Sequence, residues 1–176
     1  MVTRSCRFAL VGVLLLLFGS ISIETQAQSA EDIEMGKRFV GMWRLASRPE
    51  RLTDGRARQN PVSAAYIIYA DTHPMRMCYV AMDPSRPKWK SEYSPTESEA
   101  MSAMAGSGSY CSTVEVHARE RYVIHHVEID SVPNAVRRDR KRWFTFDGPD
   151  RLSLRVDSND LRPGIAESTL IWERVQ

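Results

Sequence analysis

His126 and Glu128 carry the first chemical signal in the chain. Two residues apart on a strand, they project side by side from one face. A histidine beside a carboxylate matches a general base with its orienting group. It equally matches a hydrogen-bonded pair that stabilises a barrel interior. Arg142 shares a strand face with Phe144 and Phe146. In a lumen such an arginine holds a carboxylate or enolate oxygen, and on a rim it snorkels. Tyr66, Tyr79 and Tyr110 supply hydroxyls, with core filling as the alternative for each. The candidate ligand-binding set is therefore Tyr66, Tyr79, Tyr110, His126, Glu128, Arg142 and Phe144. His125 shares its face with Val123, Val127 and Ile129 and reads as a packing histidine.

Other chemistries lack their residues. Adjacent strand histidines point to opposite faces, and no CxxC or HxxxH spacing occurs, so no metal site is expected from His117, His125 and His126. No phosphate-cradling glycine loop and no G-x-S-x-G elbow is present, so no cofactor and no covalent hydrolase chemistry is expected. No residue is assigned a catalytic role.

These residues sit on strand-period runs. Tyr110–His117 and Tyr122–Asp130 alternate around a four-residue polar break, Pro133 interrupts, and Arg140–Asp147 resumes. Earlier strands are expected at Trp43–Pro49, Ala64–Ala70 and Met75–Met82, with a polar rim strand ending at Pro61. Later ones fall at Leu152–Asp157 and Glu167–Val175. Thr96 and Glu99 form a capping box for a short helix, Glu97–Ala105, whose Met101 and Met104 suit it to cover a barrel end. Ser29–Arg38 reads as a polar lead-in with a short helix near Ile33–Phe39. Eight to ten strands in meander order predict an all-β, up-and-down antiparallel barrel, with a sandwich as the alternative.

The address lies at the start. Arg4 and Arg7 precede the apolar run Phe8–Phe18, and Thr25-Gln26-Ala27 suits a cleavage site. Residues 1–27 therefore read as a signal peptide and residues 28–176 as one barrel domain, periplasmic or secreted. Cleavage removes Arg4, Arg7 and Glu24, so the formal charge falls from +2 to +1. That balance gives no electrostatic case for nucleic acid or stable membrane association. The mature chain keeps Cys78 and Cys111; a disulfide and two separate buried thiols both fit the sequence. No oligomeric state follows.

The pieces together resemble a known group. Gly41-Met42-Trp43 resembles the GxW signature of lipocalins and related calycins, in which an arginine near the chain end packs over the tryptophan. Arg174, in Ile171-Trp172-Glu173-Arg174, is that arginine here. Pairing of the first and last strands, needed to remove the sheet edges, would bring the two together. The order GMWRL, AAYIIYAD, YCSTVEV, HHVEIDSVPN, KRWFTFDG…RLSL and STLIWERV resembles the bacterial and fungal lipocalin-like domain family across nearly all of the mature chain. Cys111 departs from the family's larger or non-thiol residue, and Arg137-Arg138 replace a glycine-containing turn. The resemblance implies a small barrel with an internal cavity, a fold that hosts carriers, inhibitors and a few enzymes. The expectation is an exported barrel that binds a small apolar or amphipathic molecule. The alternatives are a cofactor-free cyclase or isomerase using His126, Glu128 and Arg142, or a ligand-free structural envelope protein.

Overall fold

Apolar and polar residues alternate along the strands, and that alternation sets the wall of the molecule. The structure, a computed structural model, describes residues 28–59 and 64–176. The expected signal peptide at 1–27 and Pro61 at the end of the rim strand lie outside these residues. Ten strands occur among the described residues: β1 (Gly41–Ser47), β2 (Pro49–Leu52), β3 (Ala57–Gln59), β4 (Ala64–Ala70), β5 (Arg76–Met82), β6 (Ser107–His117), β7 (Tyr122–Asp130), β8 (Asp139–Asp147), β9 (Arg151–Val156) and β10 (Ile165–Arg174).

The strands from β4 to β10 form an antiparallel meander, β1 pairs with β4, and β10 returns to β1. Eight strands thus close a barrel, and the sandwich alternative falls away. The β2–β3 hairpin pairs with the first part of β10 and extends the wall beyond the ring. Closure leaves no open edge within the ring.

One end of the barrel is sealed by helix α1 (Ala30–Phe39). It begins earlier than the sequence suggested, because Ser29 and Asp32 cap it reciprocally. Phe39, fully buried, packs its ring 5.2 Å from Tyr69, 5.1 Å from Phe144 and 4.9 Å from Phe146. The Phe39 carbonyl accepts the indole N–H of Trp43 at 2.7 Å. Trp43 and Arg174 are register partners on β1 and β10, and the guanidinium lies 4.0 Å from the indole centroid. Its N–H groups donate to the carbonyls of Val40 (2.7 Å), Arg38 (2.9 Å) and Pro149 (3.0 Å). Gly41 is required twice: its φ is +123°, and a Cβ there would stand 2.8 Å from Nη1 of Arg174.

Two local features differ from the sequence reading. Helix α2 (Glu97–Ala105) forms behind the expected Thr96–Glu99 capping box, yet none of its residues is buried and Met101 and Met104 are exposed. With no buried residue it plugs neither barrel end, and the sealed end is filled by α1 instead. Arg137 adopts the left-handed conformation (φ 66°) that glycine takes without strain, and donates its N–H to the Val127 carbonyl at 2.9 Å. The cysteine question resolves as a disulfide: Cys78 and Cys111 are direct cross-strand partners on the outer wall of β5 and β6.

Trp43→Ala leaves a cavity and should cost about 3–5 kcal/mol. Arg174→Ala loses the stack and charge-assisted hydrogen bonds and should cost about 2–3 kcal/mol. Urea denaturation of both single variants and the double variant is expected to give a coupling above about 0.5 kcal/mol. Strict additivity would separate the two side chains energetically.

Candidate ligand cavity

The strands that converge on the sealed end carry arginine and tyrosine toward the other. There a cavity of about 340 Å³ opens inside the barrel. Its apolar wall comes from Ile67 on β4, Leu154 and Val156 on β9, and Leu170 and Trp172 on β10. Tyr79 and Tyr110, partners across β5 and β6, stand with ring centroids 5.4 Å apart. The Trp172 ring meets Tyr79 edge-on at 6.2 Å. The buried indole N–H of Trp172 has no hydrogen-bond partner among the described residues. Buried donors are nearly always satisfied, so this one is unusual.

His125 is the buried histidine of this cavity. Its Nδ1 lies 2.9 Å from the Tyr110 hydroxyl and its Nε2 lies 3.2 Å from the Tyr69 hydroxyl. Burial, then the charges of Arg142 and Arg140, push its pKa well below the ordinary 6.5. The ring is neutral, so one nitrogen donates and the other accepts. Tyr69 is fully buried and does not border the cavity, so its O–H has only Nε2 to reach. The hydrogen-bond balance therefore places the proton on Nδ1, which donates to the Tyr110 oxygen. In that tautomer the Tyr110 O–H is not taken by His125.

Charge gathers at the cavity's mouth. Arg142 ion-pairs with Asp160 at 2.6 Å, and Arg138 approaches the same carboxylate at 3.7 Å. Arg140 pairs with Asp130 at 2.7 Å and lies 4.3 Å from the Tyr110 ring centroid. Arg48, Arg58 and Arg162 approach the fully buried Glu50 carboxylate at 3.2, 2.5 and 3.5 Å. Burial would raise the Glu50 pKa, but the Arg58 hydrogen bond and the charges of Arg48, Arg58 and Arg162 hold it below the usual carboxylate value. Arg48 is lowered from its ordinary value, first by burial and then by Arg162 and Arg142, with Glu50 opposing.

The structure brings Tyr79, Tyr110 and Arg142 together at the cavity. Phe144 points inward but lies deeper, packed on Phe39 in the sealed half. Tyr66, His126 and Glu128 face outward, contrary to the lumen placement expected from sequence. On β4 the period of two buries Ala65, Ile67 and Tyr69 and leaves Tyr66 outside. On β7, Val123 and Val127 are buried, so His125 enters and His126 leaves. His126 bonds Asp139 at 2.7 Å and Glu115 at 3.2 Å on the outer wall, while Glu128 pairs with Arg76 at 2.5 Å. The His126–Glu128 base pair is not formed, and Arg142 lies on the other side of the wall from both.

A bulge at Glu128 then reverses parity, since Cys111 pairs with Ile129 and Ser112 with Val127. Ile129 turns outward and is 63% exposed, while the Asp130 side chain is buried against Arg140. The sequence reading also missed Arg48, Arg140, Arg162 and Asp160. The alternation Arg140-Lys141-Arg142 was the available signal for Arg140; Asp160 and Arg162 lie in a connection that no period places. Among the described residues no cluster of three or more His, Cys, Asp and Glu is arranged to hold a metal, and no helix is long and apolar enough to cross a membrane.

A family model described as a lipocalin-like domain matches residues 40–175. No curated protein matches the chain. Among solved structures, a redesigned beta barrel aligns with 85% of this chain and 100% of its own at 12% identity, with a TM-score of 0.43.

The buried His125 gives a pH signature. Below the unfolded value of 6.5 the unfolded chain takes up a proton that the folded chain refuses, so stability falls as pH drops from there toward the folded value. The loss approaches about 1.4 kcal/mol per pH unit. His126 acts oppositely: burial lowers its pKa, but the hydrogen bonds to Asp139 and Glu115 prevail and raise it. Its contribution is present below 6.5 and lost as pH rises through the folded value. Urea denaturation at about pH 7.5 and about pH 5.5 should show His125→Gln losing less stability on acidification than wild type, and His126→Gln losing more.

Proposed function

We propose, for a chain that belongs to the lipocalin-like domain family, that it is an exported carrier of a small amphipathic molecule held in the open half of its barrel. The observation that carries this reading is the cavity of about 340 Å³ between Trp172 and Arg142, within the range of roughly 300–1,000 Å³ usual for small-molecule sites. The closed end, filled by Phe39 and Trp43, makes the lumen a cup and not a channel. An apolar wall beside charged residues suits a molecule with one apolar and one polar end. The Arg142 guanidinium and the Tyr110 hydroxyl, which line the cavity, would orient the polar end. No reaction is assigned, since His125 has both ring nitrogens engaged by tyrosine hydroxyls.

The case for export rests on the apolar run at Phe8–Phe18 and on Thr25-Gln26-Ala27, which suits a cleavage site, and the compartment it implies is the periplasm or the outside of the cell. The Cys78–Cys111 disulfide supports an oxidising compartment. A second reading, an envelope protein acting through its surface, is favoured by the exposed Tyr66, Ile68, Val80 and Met82 on the outer wall of β4 and β5.

Native mass spectrometry of the protein purified from its own host tests the reading. The expected species begins at Gln28 and carries one small molecule that denaturing conditions release. A chain that retains residues 1–27 contradicts export, and a ligand-free mass in every preparation favours the surface reading.

A further inference from the structure

The mouth of the cavity holds more positive charge than its own carboxylates balance. Four guanidinium groups line it, those of Arg48, Arg140, Arg142 and Arg162, and the carboxylates paired with them are Glu50, Asp130 and Asp160. Arginine cannot relieve the excess by losing a proton. Each guanidinium has five N–H donors in a fork that matches an oxyanion. The acceptors of Arg142 are the Asp160 carboxylate and the Lys141 carbonyl, both taken by the single nitrogen Nη1. Arg48 donates from Nε to the Ser168 hydroxyl, and the same nitrogen is the one nearest Glu50. Donors on both arginines therefore remain for a guest. The field is concentrated by the low-dielectric wall that Leu154, Val156 and Leu170 supply.

We propose that the cavity is built for a small amphipathic organic acid, whose oxyanion is seated among Arg48, Arg142 and Arg162 and whose apolar body lies against Leu170 and Trp172. This rests on the carrier reading and narrows its ligand to one charge class. The Tyr110 hydroxyl belongs to a residue that lines the cavity beside the guanidinium groups and adds a neutral polar group there. A neutral guest of the same shape would leave the excess charge unbalanced. An acid supplies the missing negative charge and takes the unused N–H groups.

The matched probes are 1-anilinonaphthalene-8-sulfonate and N-phenyl-1-naphthylamine, which share an aromatic body and differ by one oxyanion. Fluorescence titration of the full mature protein at low ionic strength should give one site for each, with mutual displacement. The sulfonate should bind about tenfold or more tightly, as charge-assisted hydrogen bonds allow. Added salt should narrow the gap. Arg142→Met and Arg162→Met should each lower the sulfonate's affinity by a larger factor than the neutral probe's, so that the preference shrinks. Arg162 is on an exposed connection, so its variant keeps the test valid where loss of the Arg142–Asp160 pair unfolds the chain. If the neutral probe binds and the sulfonate binds no better, or if the preference survives both substitutions, the acid site is overturned and the carrier reading stands. If neither probe binds, the carrier reading fails and the acid site fails with it.

Discussion

The guanidinium of Arg174, stacked on Trp43 and bonded to three backbone carbonyls, is the contact on which the barrel depends. It joins the last strand to the first, and through the carbonyls of Arg38 and Val40 it ties both to the end of α1. A residue with a Cβ at position 41 would collide with it, so sequence and geometry meet there with little freedom. Burying a charge is costly unless it is fully hydrogen-bonded. Here the ring face and the carbonyls satisfy the guanidinium, and part of the group remains open to solvent.

Sealing one end decides what the other can be. Phe39, Trp43, Phe144 and Leu152 fill the closed half to the exclusion of solvent. The inward positions of the same strands change character toward the opposite rim. On β8 the series runs from Phe146 and Phe144 to Arg142 and Arg140, so one strand carries the passage from dry core to charged mouth. The Tyr69–His125–Tyr110 chain marks the boundary between the halves. It satisfies a buried imidazole on both sides.

Much of this was legible in the sequence. Period-two runs located the eight strands of the ring, and GMW with Arg174 located its closure. The direction of each face was harder to read. His125 and His126 are neighbours, and apolar company made His125 read as a satisfied packing histidine, which it is, though at the cavity's edge. That company is the inner wall itself, which is why the histidine among valines is the one in the lumen. Ile129 and Asp130 were unreadable for a different reason, since a bulge at Glu128 exchanges inside and outside without changing the local pattern. Arg48, Asp160 and Arg162 come from connections between strands, and only closure of the barrel gathers them.

The central claim is that the barrel is sealed around Trp43 and receives its guest beside Trp172. The chain has four tryptophans, whose indole N–H resonances can be followed separately by heteronuclear NMR on labelled protein. During titration with N-phenyl-1-naphthylamine, the account predicts that the Trp172 resonance moves to saturation while that of Trp43, held by the Phe39 carbonyl, stays in place. A titration that shifts Trp43 and leaves Trp172 unmoved would contradict it.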